Sequence, residues 1–143
     1  FQAITRPFHT PFVDSWHTMP QYRFLWPDDL EELEAAIDKL IALKQQGCRI
    51  SNPVPQFMMF KTFFKNPDAF VKPFTCNLVS GKFFAADADG TVKLCPYMQP
   101  LGNITDGDFR QLWHSGLAAS AKAQVGRCKQ NCHHLINCWY EEG

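Results

Sequence analysis

Apolar positions recur at helical spacing in three stretches of this chain. In PDDLEELEAAIDKLIALKQQG, Leu30, Leu33, Ile37, Leu40 and Ile41 fall on one face, the period of an amphipathic helix. Pro27 fits its start, and Asp28, Asp29, Glu31 and Glu32 suit the positive end of the helix dipole. Lys44 sits in the last turn and Gly47 supplies the stop. Residues 53–65 (PVPQFMMFKTFFK) predict a second helix with a Phe/Met face. Residues 108–125 predict a third, with Phe109, Leu112, Trp113, Leu117 and Ala121 on one side and Gly126 at its end.

Strand signals are shorter. FQAITRPF (1–8) is a candidate strand ended by Pro7, and Cys48-Arg49-Ile50 is another, broken at Asn52-Pro53. With the helices they give a strand–helix–strand–helix order, the pattern of α/β units. FFAADADGTVKLC (83–95) predicts a hairpin: an apolar strand, an Asp89-Gly90 turn and an alternating strand ending at Cys95. PLGNITDGD is expected to be a loop. Residues 9–26, with His9, Pro11, Trp16, His17, Pro20 and Trp26, show no period and predict an aromatic-rich loop or lid. Trp16, His17 and Trp26 are candidates to line a pocket, and the Phe/Met stripe at 57–64 is expected to be core. The two prolines of NPDAFVKPFT (66–75) mark a boundary, dividing the chain into 1–72 and 73–143.

Composition narrows the function classes. The chain has 143 residues, 45% of them hydrophobic, enough for a core that does not depend on disulfides. Lys+Arg and Asp+Glu each number 14, so there is no basic footprint for nucleic acid and no polybasic patch for a membrane. Aromatics reach 14%, with 13 Phe, which points to large apolar surfaces packed against something. The chain opens FQAIT without Met or a signal-peptide pattern, and no apolar run reaches the length of a membrane span. The expectation is a soluble, cytoplasmic chain that lacks an N-terminal region. Six cysteines in that setting favour metal or redox chemistry over structural disulfides.

Five of the six lie in the second half: Cys76, Cys95, Cys128, Cys132 and Cys138, the last three in RCKQNCHHLINC. Cys76 precedes the hairpin and Cys95 ends it. The third helix then returns the chain, so that Cys128 and Cys132 are expected at the same end. Thiolates select soft metals and iron–sulfur clusters. A structural zinc needs four ligands with short paired spacings, of which Cys128 and Cys132 supply half. A cluster is larger and tolerates ligands arriving from a longer hairpin. Cys48 is expected to be a buried small hydrophobe. His133 and His134 are adjacent and point apart, so at most one would ligate, and a surface or supporting role suits them better. Asp87, Asp89 and Asp106 lack the glycine and glutamate spacing of a calcium loop and are expected to be turn residues.

These residues carry a resemblance. Cys76, thirteen residues, Gly90, four residues, Cys95 resembles the opening motif of SPASM and twitch domains, the auxiliary iron–sulfur modules of radical SAM enzymes: a Cys, nine to fifteen residues, a Gly, four residues, a Cys. DADGTVKLCPYMQPLGNITDGDFRQLWHS is similar to the same region, with its DG turn, CP strand end, LGNI and LWHS. The resemblance spans about residues 74–140. The stretch IDKLIALKQQGCRISNP is compatible with the last units of the family's partial TIM-type barrel. The implied fold is therefore α/β: the last strand–helix units of that barrel, then a small α+β SPASM/twitch-like domain with a β-hairpin and a helix.

The chain also departs from the family. A full SPASM domain continues with a CxxC, five residues, a Cys, three residues and a Cys. Here the first gap is three residues, and Glu142 stands where the final Cys would be. Five cysteines cannot fully ligate two four-iron clusters, which favours a twitch-like domain with one. Cys128–x3–Cys132 begins like the SAM-cluster motif, but the next Cys follows after five residues and at the wrong end of the chain.

The resemblance implies one auxiliary 4Fe-4S cluster held by four of Cys76, Cys95, Cys128, Cys132 and Cys138. Cys128 and Cys132 have the tighter spacing, whereas Cys132–x5–Cys138 keeps the family spacing, and both pairs stay open. SAM and a second 4Fe-4S cluster would belong to an N-terminal radical SAM portion of the same enzyme, without which this chain is not expected to be active. The other implied partners are a reductant protein and a peptide, protein, cofactor-precursor or other small-molecule substrate, with no nucleic acid and no membrane. No catalytic residue is assigned. The alternative is a non-catalytic structural zinc-binding interaction module that presents its aromatic surface to a partner.

Overall fold

The computed structural model describes residues 1–7, 13–71, 76 and 83–138. The chain forms two compact units: Phe1–Lys72 with Gln130–Gly143, and Pro73–Lys129. The break after Lys72 coincides with the boundary read from the prolines, but the tail from Gln130 belongs to the first unit. Residue 8, the start of the aromatic-rich loop at 9–12, and the last four residues of the linker, 72–75, lie outside the described residues.

The first unit is helical. Two single-turn 3-10 helices, Trp16–Thr18 and Arg23–Leu25, precede α1 (Leu30–Gln45) and α2 (Val54–Lys65). Asp29 caps α1, its carboxylate accepting the backbone N–H groups of Glu31 and Glu32 at 2.9 Å each. At the other end Gly47 has φ +93°. Its N–H donates to Lys44 O, and the Cys48 N–H donates to Leu43 O, both at 3.0 Å, which is the Schellman ending. Glu34 and Asp38 on α1 face Lys65 and Lys61 on α2 at 2.8 and 3.0 Å, two rungs one helical turn apart. Beneath them α2 buries Phe57, Phe60, Phe63 and Phe64.

Two expected strands do not form. Residues 1–7 form neither helix nor strand. At 48–50 the Ile50 N–H turns back onto Cys48 O at 2.8 Å, so the chain curls instead of offering a ladder. Among the described residues of this unit there is no strand, and no barrel-like strand–helix alternation.

The aromatic segment at 13–26 sends two of its residues into the core. Trp16 and Trp26 are buried and meet edge to face at 5.6 Å, and Trp26 continues onto Phe63 and Phe64 at 5.6 and 5.0 Å. His17 lies 4.7 Å from the Trp26 ring. A helix α5 (His133–Asn137) completes the unit, with Ile136 fully buried in the same core.

The second unit is a three-stranded antiparallel meander with two helices. Strands β1 (Ala85–Ala86), β2 (Thr91–Lys93) and β3 (Gly102–Asn103) lie in that order, with Ala86 opposite Val92 and Val92 opposite Gly102. The hairpin turns at Asp89-Gly90 as expected. The loop expected at 100–108 contains the third strand, whose two residues are too few to show a period. The expected single helix is two, α3 (Phe109–Trp113) and α4 (Gly116–Gly126). Ser115 causes the break: its hydroxyl accepts the Ala118 N–H at 3.1 Å and starts a new helix. The restart changes the buried face to Ala118, Ala121 and Val125 and leaves Leu117 exposed. These residues join Val92, Leu94, Cys95 and Leu101 in one core. Among the described residues, no helix is long and apolar enough to cross a membrane.

Candidate metal centre

Cys95 stands two residues beyond β2, after the buried Leu94, and is itself part of the core of the second unit. A turn follows at once, with the Met98 N–H on Cys95 O at 3.0 Å. Pro96 cannot donate, and the Tyr97 N–H faces the Cys95 sulfur. Cys76, from before the hairpin, packs against the same core. Cys128 leaves the end of α4, its N–H donating to the buried Val125 at 3.1 Å. Three thiols from three distant points of the sequence are thus set around one core.

Their electrostatics reflect this. Burial pushes the Cys95 thiol above its ordinary pKa, and the nearby Cys128 and Cys76 add like-charge repulsion; the Tyr97 N–H works the other way by stabilising the thiolate. Such a group favours the neutral thiol until a cation, or a cluster, supplies positive charge. Among the described residues, no three of His, Cys, Asp and Glu close to the distances that a single metal ion requires.

Cys132 and Cys138 lie in the first unit, at the two ends of α5. Cys132 is buried, and its carbonyl accepts the Ile136 N–H at 2.9 Å. The Cys138 sulfur is 3.6 Å from His134 Nδ1. His133 Nδ1 meets the Asn137 side-chain amide at 3.1 Å, so the two histidines do point to different partners. Burial, then His133, lowers the pKa of His134.

Several smaller expectations are settled by position. Asp89 is a turn residue: it accepts the Thr91 N–H at 2.9 Å, which holds its carboxyl below the usual range. Asp87 pairs with Lys93 at 2.7 Å, and Asp106 donates its N–H to Asn103 O in a turn. Cys48 is exposed, not buried, because the Schellman ending of α1 carries it out past the helix.

Two asparagines of RCKQNCHHLINC, Asn131 and Asn137, bond to distant backbone. Asn131 accepts the Val71 N–H at 3.3 Å and donates to the carbonyls of Pro67 and Ala69 at 2.8 and 2.6 Å. Gln56, buried on α2, donates to the carbonyls of Ile136 and Asn137 at 3.2 and 3.1 Å and accepts from Asn52 at 3.0 Å. Gln56 thus seats α5, with Cys132 and Cys138 at its ends, on α2, and Asn131 ties the segment before α5 to residues 67–71.

No family model, no curated protein and no solved structure matches this chain.

Proposed function

We propose that this chain is the auxiliary-cluster part of a cytoplasmic radical SAM enzyme, holding a 4Fe-4S cluster in a twitch-like second unit. The observation that carries the reading is the placement of Cys76, Cys95 and Cys128 around a single core despite their separation in sequence. The donor set fits the group: soft thiolates, one of them buried with a backbone N–H on its sulfur. Four of Cys76, Cys95, Cys128, Cys132 and Cys138 would be its ligands. When bound, the cluster would supply one-electron transfer, or an iron that coordinates substrate. The protein's own part is to exclude water from Cys95, to stabilise its thiolate through Tyr97, and to fix the hairpin and α4 from which the thiols project.

The remaining parts of the proposal follow the resemblance. An N-terminal portion of the same enzyme would bind SAM and its own cluster, a reductant protein would supply electrons, and the substrate would be a peptide, protein or cofactor precursor. The test is metal and sulfide content with EPR on anaerobically prepared protein. About four irons and four sulfides with a reducible cubane signal are expected. One zinc without sulfide, from iron-replete anaerobic cells, would overturn the reading in favour of a structural zinc module.

A further inference from the structure

The second unit carries its charge unevenly. From Phe109 to Lys129, through α3 and α4, the chain has Arg110, Lys122, Arg127 and Lys129 and no Asp or Glu. Other cations of the chain, Arg23, Lys61, Lys65 and Lys93, each meet a carboxylate. Among the described residues, no carboxylate pairs with any of the cations on α3 and α4 or at the end of α4. Lys122 turns instead to Trp113: its Nζ donates to the Trp113 carbonyl at 3.4 Å and lies 4.1 Å from the ring centroid. Phe109 stacks on Trp113 at 5.9 Å, and Phe84 reaches both rings, at 4.6 and 6.1 Å. Phe84 is 44% exposed, and Arg110 and Arg127 are exposed as well. An aromatic patch thus shares α3 and α4 with cations that the chain itself leaves unmatched.

We infer that this face of the second unit docks an acidic electron-carrier protein, the reductant of the reading above. Charge complementarity makes the partner acidic, because unmatched cations around an apolar patch attract and orient a surface of opposite sign. The core beneath makes it a carrier: Phe109 and Trp113 pack on the same core that includes Cys95 and receives Cys76. Transient electron-transfer contacts are small, below about 1,200 Å², so a patch of a few rings and cations is enough. A nucleic acid suits the face less well, since it is held by bases stacking on open rings and the Trp113 ring is already engaged by Phe109 and Lys122. The choice of a carrier rests on the cluster reading, whereas the acidic character of the partner does not.

The experiment uses the full chain, its iron and sulfide content measured in parallel, and a fluorescently labelled, acidic plant-type 2Fe–2S ferredoxin as probe. Binding is read by fluorescence anisotropy at low and high salt. It compares wild type, the double variant Arg110→Glu with Arg127→Glu, Phe84→Ala, and Lys39→Glu, which reverses an exposed charge on α1. Circular dichroism checks that each variant is folded. Expected are binding that weakens as salt rises, an affinity loss of about tenfold or more in the double variant, a smaller loss in Phe84→Ala, and no change in Lys39→Glu. Absence of binding by wild type, or full binding by a folded double variant, would overturn the inference and leave the cluster reading standing. If the double variant does not fold, wild type decides, because binding insensitive to salt overturns the inference. A single-stranded oligonucleotide that binds as tightly as the ferredoxin would make the face a general polyanion site and overturn it too. A wild-type chain that binds the ferredoxin here but takes up neither iron nor sulfide overturns the cluster reading, while the docking face stands.

Discussion

Asn137 pairs with Ala3 as one strand residue pairs with another. Its Oδ1 accepts the Ala3 N–H at 2.8 Å, and its Nδ2 donates to the Ala3 carbonyl at 2.9 Å. A side-chain amide carries the same donor and acceptor as a peptide unit, so Ala3 finds a partner without a neighbouring strand.

Asn137→Ala removes both bonds and leaves the buried Ala3 without its partner. The expected loss is about 1–3 kcal/mol, read as a lower urea midpoint with unchanged slope. Asn137→Asp keeps the acceptor and is expected to fall between the two. A midpoint unchanged in Asn137→Ala would show that the pairing contributes nothing.

The glycine turns separate strain from crowding. Gly47 and Gly90 both have positive φ, +93° and +84°, so alanine at either costs about 1–2 kcal/mol in backbone strain. A Cβ on Gly47 meets open space, whereas one on Gly90 would lie 2.6 Å from Asn103 Oδ1. That oxygen holds Thr105, and the Asn103 amide donates to Asp89 O at 2.8 Å. Gly90→Ala is therefore expected to cost clearly more than Gly47→Ala in thermal unfolding, and equal losses would count against the crowding argument.

Cys95 makes the metal-free chain sensitive to alkali. Burial raises its pKa in the folded state, so above about pH 8.5 the unfolded chain releases a proton that the folded one keeps. Stability is complete below that value and falls as pH rises through the folded pKa. Cys95→Ala is expected to flatten this slope in urea titrations between neutral and alkaline pH. A slope identical to that of wild type would rule Cys95 out as its source.

A 1–72 fragment is expected to be poorly ordered, for a reason the sequence did not show. It lacks Ile136 from the core, and it leaves Gln56 without the carbonyls to which it donates. Dispersed, protected amides in that fragment would overturn the expectation. A peptide of residues 130–138, added in excess, is expected to restore order.

Local signals were legible and distant ones were not. Asp29 and Gly47 are read from their immediate neighbours, because a cap and a Schellman ending involve only nearby backbone. The Asp89-Gly90 turn is local too. Ser115 was also readable, but the apolar period on both sides of it masked its capping role and placed Leu117 on the wrong face. Trp16 and Trp26 gave no period because they reach the core from single turns. Gln56, Asn131 and Asn137 could not have been found, since a polar residue does not announce a partner some sixty to eighty or more positions away. For the candidate site, the cysteines were visible, but their division between two units depends on the return of the tail to α2.

That return sets an order of events during synthesis. The second unit is contiguous, and all of its chain is available once Lys129 has left the ribosome. The first unit begins earlier but finishes later, because Ile136 and Asn137 are the pieces its core and its amide network still lack. A nascent chain adds about 5–20 residues per second, so α1 and α2 wait for seconds with the Phe face of α2 incompletely covered. This is the interval in which a holdase would have something to bind.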